Sequence, residues 1–134
     1  MLNVTCAIIT HGSKVLVTQR SEVMKLPLKW EFPGGKMHAD ESAEMCIKRE
    51  LIEELNVEVE ILERLTDSKF EYPTFTINLI PFVVRLKAGQ LTLREHKAFE
   101  WLSPTDLPAL DWAPADVPVV DRFLKSKYAV GRTL

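Results

Sequence analysis

Apolar and polar positions divide the chain into short extended runs and two helical stretches. Leu2 to Thr10 is mostly apolar and rich in β-branched residues (Val4, Thr5, Ile8, Ile9), the pattern of a strand. His11-Gly12-Ser13 is a turn, and Lys14 to Gln19 resumes as the hairpin partner. Residues 21–29 read as a loop, Trp30-Glu31-Phe32 as a short extended piece, and Pro33-Gly34-Gly35 as a breaker cluster. From Ser42 to Leu55 there is no Gly or Pro and helix formers dominate, so a helix is predicted, capped by either Asp40 or Ser42. Asn56 follows as a left-handed stop. Val57 to Leu65 alternates as a half-buried strand should, and Phe75 to Leu86 is a more apolar strand in which Pro81 points to an edge or a bulge. Lys97 to Leu102 gives a further short strand, and Ser103-Pro104 opens a turn or short helix. Asp116-Val117-Pro118 carries the N-cap and early-proline pattern of a last helix running to about Lys127. The expected class is α/β (α+β), a mixed sheet with two main helices.

Composition narrows the function without naming it. With 134 residues, 46% apolar and 27% charged, the chain is expected to form one globular domain over residues 1–134. No apolar run approaches the ~18–20 residues of a membrane span, and Met1-Leu2-Asn3-Val4-Thr5 lacks the basic start of a signal peptide. Two cysteines, Cys6 and Cys46, are too few for a disulfide framework or a thiolate zinc site. His11, His38 and His96 are scattered without ligand spacing. A cytoplasmic monomer or small homo-oligomer is expected, with no membrane partner. The net charge of -2 conceals a cluster: residues 40–60 hold eight acidic and two basic residues. A concentrated acidic site in a mildly basic frame argues against a duplex nucleic-acid binder, which shows a basic stripe.

That cluster lies on the first predicted helix. At about 100° per residue, Glu50, Glu53 and Glu54 fall within one arc together with the small Ala43 and Cys46, while Ile47, Leu51 and Leu55 centre about 120° away on a core-facing side. Stability alone does not choose this arrangement. Glu50 and Glu54 are an i,i+4 like-charge pair, and all three carboxylates sit near the helix C-terminus, where the macrodipole disfavours them. A solvated acidic face is the bland reading; a site for Mg²⁺ or Mn²⁺, which take hard oxygen ligands, is the functional one. Arg49 is placed to hold a neighbouring carboxylate.

The segment Gly35 to Val57 resembles the Nudix box, G-x5-E-x7-R-E-U-x-E-E-x-G-U, where U is a bulky aliphatic residue. Gly35, Glu41, Arg49, Glu50, Leu51, Glu53, Glu54 and Val57 match at the required spacings, and Asn56 stands in place of the second glycine. Thr18-Gln19-Arg20, Trp30 to Lys36, Glu100-Trp101-Leu102 and Ala113 to Pro118 are similar to segments of the MutT-type nucleoside triphosphate pyrophosphohydrolases, and Ala113-Pro114-Ala115-Asp116-Val117-Pro118 looks most like the CTP pyrophosphohydrolase branch.

The resemblance implies a Nudix fold, with a mixed sheet sandwiched between two main helices. It implies Mg²⁺-dependent cleavage of a nucleoside triphosphate to the monophosphate and pyrophosphate. Glu50, Glu53 and Glu54 would be metal ligands, with the Gly34 carbonyl as a further one. Glu95 would be the general base, with Glu50 or Glu53 as rivals, and Glu41 and Arg49 would orient them. Arg20 and Lys36 would contact phosphates, and Phe32 and Trp30 would border the nucleoside. Asp116 is either the N-cap of the last helix or a contact to the Watson–Crick edge of the base, where an acceptor-only carboxylate suits cytosine, plain or modified, or an oxidised guanine. A hydrolase of ADP-ribose or a dinucleoside polyphosphate, or a non-catalytic nucleotide-binding module, are the alternatives.

Overall fold

A computed structural model describes residues 1–130. Strands β1 (Leu2–His11), β2 (Lys14–Gln19), β3 (Trp30–Glu31) and β4 (Gly34–Lys36) precede helix α1 (Ala43–Leu55). They are followed by β5 (Val57–Arg64), β6 (Ser68–Tyr72), β7 (Phe75–Gly89) and β8 (Ala98–Leu102), and then by α2 (Val117–Leu124) and the single turn α3 (Lys127–Val130). The sheet runs β3-β2-β1-β7-β5, with β4 paired to β1, β6 to β7 and β8 to β2. β1 and β7 are parallel, from Leu2 opposite Ile77 to Thr10 opposite Arg85, and the other pairings are antiparallel.

Both faces of the sheet are buried, which is why its central strands read as nearly continuous apolar runs. Cys6 and Ile8, Val15 and Val17, and Leu79 and Val83 point to one face, where Leu107 and the α2 residues Val119, Val120 and Phe123 cover them. Ala7, Ile9, Leu16, Ile80, Phe82 and Val84 point to the other, against Ile47, Leu51 and Leu55 of α1. This is the expected sheet between two helices. Among the described residues no helix is long and apolar enough to cross a membrane. The last four positions of the expected 1–134 domain lie outside the described residues.

Helix α1 begins and ends as local chemistry dictates. Ser42, not Asp40, is the cap, its hydroxyl accepting the Met45 N–H at 3.1 Å. Asn56 ends the helix at φ 60°, and its N–H donates to the Ile52 carbonyl at 3.0 Å.

Three expectations are corrected, and one strand is added. The extended piece does stop, at Glu31, but Gly34 and Gly35 are not merely a breaker: they open β4, and the missing Cβ of Gly34 lets this segment lie close to β1. A Cβ on Gly34 would stand 2.0 Å from the Thr5 carbonyl oxygen. Ser68–Tyr72, unrecognised in the sequence, is a strand on β7. Pro81 sits in the middle of β7 rather than at an edge or bulge. Its carbonyl accepts from Leu65 N–H, so its missing N–H faces the gap where β5 gives way to β6. The last helix stops at Leu124 instead of reaching Lys127.

Candidate active site

The box side chains are organised by Arg49. Its Nε and one terminal nitrogen hold Glu41 bidentately at 3.0 and 2.6 Å, and the other terminal nitrogen donates to both Glu50 and Glu53 at 3.0 Å. The guanidinium also reaches the Lys36 carbonyl at 3.2 Å, pinning α1 to β4. The Arg49 hydrogen bond, followed by the His38 backbone N–H, lowers the Glu41 carboxyl to about 2. Glu41 and Arg49 thus form a bidentate pair whose guanidinium also holds Glu50 and Glu53.

The three box carboxylates differ in environment. Glu53 is more than half exposed and turned onto Arg49. Glu50 lies against Gly35, close enough that a Cβ there would meet its carboxylate. Glu54 is buried, its Oε2 has no hydrogen-bond partner, and burial, with the neighbouring Glu50, Glu95 and Glu31, pushes its carboxyl far above the usual range. Among the described residues no three acidic, histidine or cysteine side chains converge in ligating geometry, and Glu53 is occupied by Arg49.

The pieces present nevertheless fit a hard divalent cation. A buried carboxylate oxygen is unmet beside a second carboxylate, and the Gly34 carbonyl, in the same cleft, is turned away from β1 for a reason of register. The bonds Ala7 N–H to Pro33 and Met37 N–H to Asn3 set the alternation of the β1–β4 ladder, so Gly34, opposite Cys6, falls in a non-hydrogen-bonded pair with its carbonyl facing away from β1. Glu50, Glu54 and the Gly34 carbonyl, joined by Glu53 once it leaves Arg49, could hold such an ion.

The loop after β7 brings Glu95 to this cluster. The sequence supplies no cation in the last turn of α1, and Arg94 takes that role from outside the helix, donating to the Ile52 and Glu53 carbonyls at 3.1 and 3.0 Å. Backbone bonds from Thr92 to the Leu55 carbonyl and from Arg94 to that of Glu54 complete the attachment. Glu95 and His96 therefore line the same cleft as Glu54.

That cleft encloses about 510 Å³. Arg20, Lys25 and Lys36 supply its positive charge, while Phe32, Tyr72 and Phe75 give it an apolar wall. Arg20 is engaged with Glu31 at 2.8 Å and with the Lys25 carbonyl. Phe32 is buried against Trp112, and Trp30 packs into the α2-side core instead of bordering the cleft. Asp116 lines the cleft and stands at the N-cap position of α2, but its side chain makes no capping bond. Its Oδ2 accepts the Phe32 N–H at 2.9 Å, and burial, then the Glu31 charge, pushes its carboxyl well above the usual range. A tertiary bond has taken the oxygen that the local pattern assigns to a cap.

Two residues that sequence reasoning left without a role stand at the centre of this arrangement. Glu31 accepts from Arg20 on one oxygen and lies 2.8 Å from His96 Nε2 on the other. Their positions in the chain give no local signal, since 65 residues separate them.

Residues 1–123 match the NUDIX domain family. The CTP pyrophosphohydrolase of Escherichia coli K12 is 35% identical over 129 residues, covering 96% of each chain. The 8-oxo-dGTP diphosphatase of Haemophilus influenzae is 33% identical over 118 residues, covering 86% of this chain and 85% of its own. The solution structure of the E. coli ORF135 protein superposes with a TM-score of 0.83 at 34% identity, over 93% of this chain and 89% of the other. The chain belongs to the Nudix family of phosphoanhydride-cleaving hydrolases.

Proposed function

We propose that this protein is a Mg²⁺-dependent nucleoside triphosphate pyrophosphohydrolase, producing a nucleoside monophosphate and pyrophosphate, with CTP or dCTP, or a cytosine modified at C5, as its preferred substrate. The observation that carries the reaction is the buried, unmet Glu54 oxygen beside Glu50, in a cleft that also presents cationic side chains. Glu50, Glu53, Glu54 and the Gly34 carbonyl hold the cation, with Mn²⁺ as a substitute. When bound, the cation offsets phosphate charge and lowers the pKa of the attacking water. Arg49 keeps the box glutamates in place. Arg20 and Lys36 bind phosphate oxygens, and Glu95 accepts the proton of the attacking water.

The choice of base rests on Asp116. With one oxygen held by Phe32 N–H, its carboxyl group, when ionised, presents an acceptor that matches the amino group of cytosine. An oxidised guanine nucleotide is the second reading, favoured by the likeness to 8-oxo-dGTP diphosphatases. A Mg²⁺-dependent screen of ordinary, methylated and oxidised nucleoside triphosphates, scored by kcat/KM and by product, tests both. The expected result is highest kcat/KM with a cytosine nucleotide and release of pyrophosphate. Faster cleavage of ADP-ribose or a dinucleoside polyphosphate, or binding without turnover, overturns the proposal. Within the same assay, Glu95→Gln lowers kcat more than it raises KM; an unchanged kcat moves the base to Glu50 or Glu53.

A further inference from the structure

His96 is a buried side chain, 1% exposed, that uses half of its hydrogen-bonding capacity. Its Nε2 lies 2.8 Å from Glu31 Oε2, while Glu31 Oε1 accepts from Arg20 at 2.8 Å. Its Nδ1 has no hydrogen-bond partner, and neither does Glu54 Oε2; the two buried atoms face each other at 4.0 Å. The ring is held there by backbone on both sides. Arg94 N–H is tied to the Glu54 carbonyl of α1, and Lys97 N–H to the Gln19 carbonyl of β2. A closure of about 1 Å brings Nδ1 and Oε2 within hydrogen-bond range. The Glu54 oxygen thus has two ways to be satisfied, the imidazole or a cation in the cleft, and a carboxylate restrained between them does not turn elsewhere.

We propose that His96 is a positioning residue for Glu54, its Nδ1 fixing the direction of Oε2 and thereby the affinity of the Glu50–Glu54 pair for a divalent cation. The inference rests on the reading of Glu54 as a cation ligand. Outer-sphere partners of metal ligands commonly contribute ~10–100-fold in affinity.

Two amide substitutions separate the two ring nitrogens. In His96→Gln the amide nitrogen occupies the place of Nε2 and keeps the Glu31 contact, with nothing at Nδ1. In His96→Asn a polar atom remains at the place of Nδ1 and Glu31 is out of reach. The measurement is Mn²⁺ binding to the nucleotide-free protein, followed by the electron paramagnetic resonance signal of free Mn²⁺, alongside thermal unfolding in chelator. The expected result is a Kd at least ~10-fold weaker in His96→Gln with Tm near that of the wild type. His96→Asn is expected to keep Kd within a few-fold while losing Tm. A wild-type Kd in His96→Gln overturns the proposal. So does a loss of affinity that tracks Tm in both variants, or unfolding of both, since a purely structural role predicts these. Glu54→Gln separates the two levels of inference. Weakened Mn²⁺ binding in Glu54→Gln beside an unaffected His96→Gln overturns the role of His96 alone, whereas wild-type binding in Glu54→Gln removes the ligand reading and this inference with it.

Discussion

Replacing Gly35 by alanine puts a methyl group into the seat of Glu50. The added carbon would lie 2.4 Å from Glu50 Cδ and 2.6 Å from each carboxylate oxygen, against an ordinary contact of 3.4 Å or more. The side chain is flexible and retreats, but by about 1 Å, and a misplacement of that size costs on the order of 10²-fold in rate. That is about 2.7 kcal/mol of transition-state stabilisation. Folding is barely touched. Gly35 is not at positive φ, so alanine gains roughly 0.4–1 kcal/mol from a stiffer unfolded chain, offset by a weakened Arg49–Glu50 pair. Gly34→Ala is the contrasting variant, because its Cβ meets the Thr5 carbonyl at 2.0 Å and the Cys6 Cα at 2.7 Å, backbone atoms that cannot step aside without parting β4 from β1. Thermal unfolding and pyrophosphate release from CTP, measured on both variants, read the difference. Gly35→Ala is expected to unfold near the wild-type temperature with kcat/KM down about 10²-fold, and Gly34→Ala to lose several degrees of Tm. A Gly35→Ala variant within threefold of wild-type activity refutes the reasoning, as does one as unstable as Gly34→Ala.

Two further outcomes follow from the buried carboxyls. Glu54 and Asp116 both carry a pKa raised by folding, so their contribution to stability is complete below the ordinary carboxylate pKa and is lost as pH rises through the raised values. The metal-free protein is therefore expected to unfold at progressively lower temperature from pH 5 to pH 9. Millimolar Mg²⁺ is expected to flatten the curve by satisfying Glu54 as a carboxylate, and a Tm that rises with pH in chelator contradicts this. For Asp116, Asn retains an acceptor for Phe32 N–H, so Asp116→Asn is expected to stay within about 1 kcal/mol of wild-type stability while the CTP-to-UTP ratio of kcat/KM shifts roughly tenfold. An unchanged substrate ranking takes Asp116 out of base selection.

What was legible in the sequence was local. A cap at Asp40 or Ser42, which falls to Ser42, and the Asn56 stop each depend on residues within a few positions of one another, and both stand in the fold. β4 was hidden because Pro-Gly-Gly is locally a breaker, whereas Gly34 serves a close approach to β1 and Gly35 leaves room for Glu50, which only the tertiary structure reveals. Asp116 satisfies the local rule for an N-cap, yet its carboxylate bonds to Phe32, 84 residues away. His96 shows the same limit: a lone histidine beside a glutamate acquires meaning only when loop, β3 and α1 meet around it. The carboxylate arc has a related limit, since helical spacing sets where Glu53 leaves the helix whereas its bond to Arg49 sets where its carboxylate lies.

The two buried faces of the sheet imply a division of labour within so small a chain. Phe32 and Trp112, beside Asp116, belong to the packing under α2, whereas the box glutamates stand on a helix seated by Ile47, Leu51 and Leu55 in the other layer. Substitutions in separate packing units that share no partner combine additively. The residues around Phe32, Trp112 and Asp116 can thus be changed, one by one, while the seat of the box glutamates in the other layer stays as it is. Glu31 is where the halves remain coupled. Its charge adds to burial in raising both the Glu54 and the Asp116 carboxyl, so a change there would move the two together.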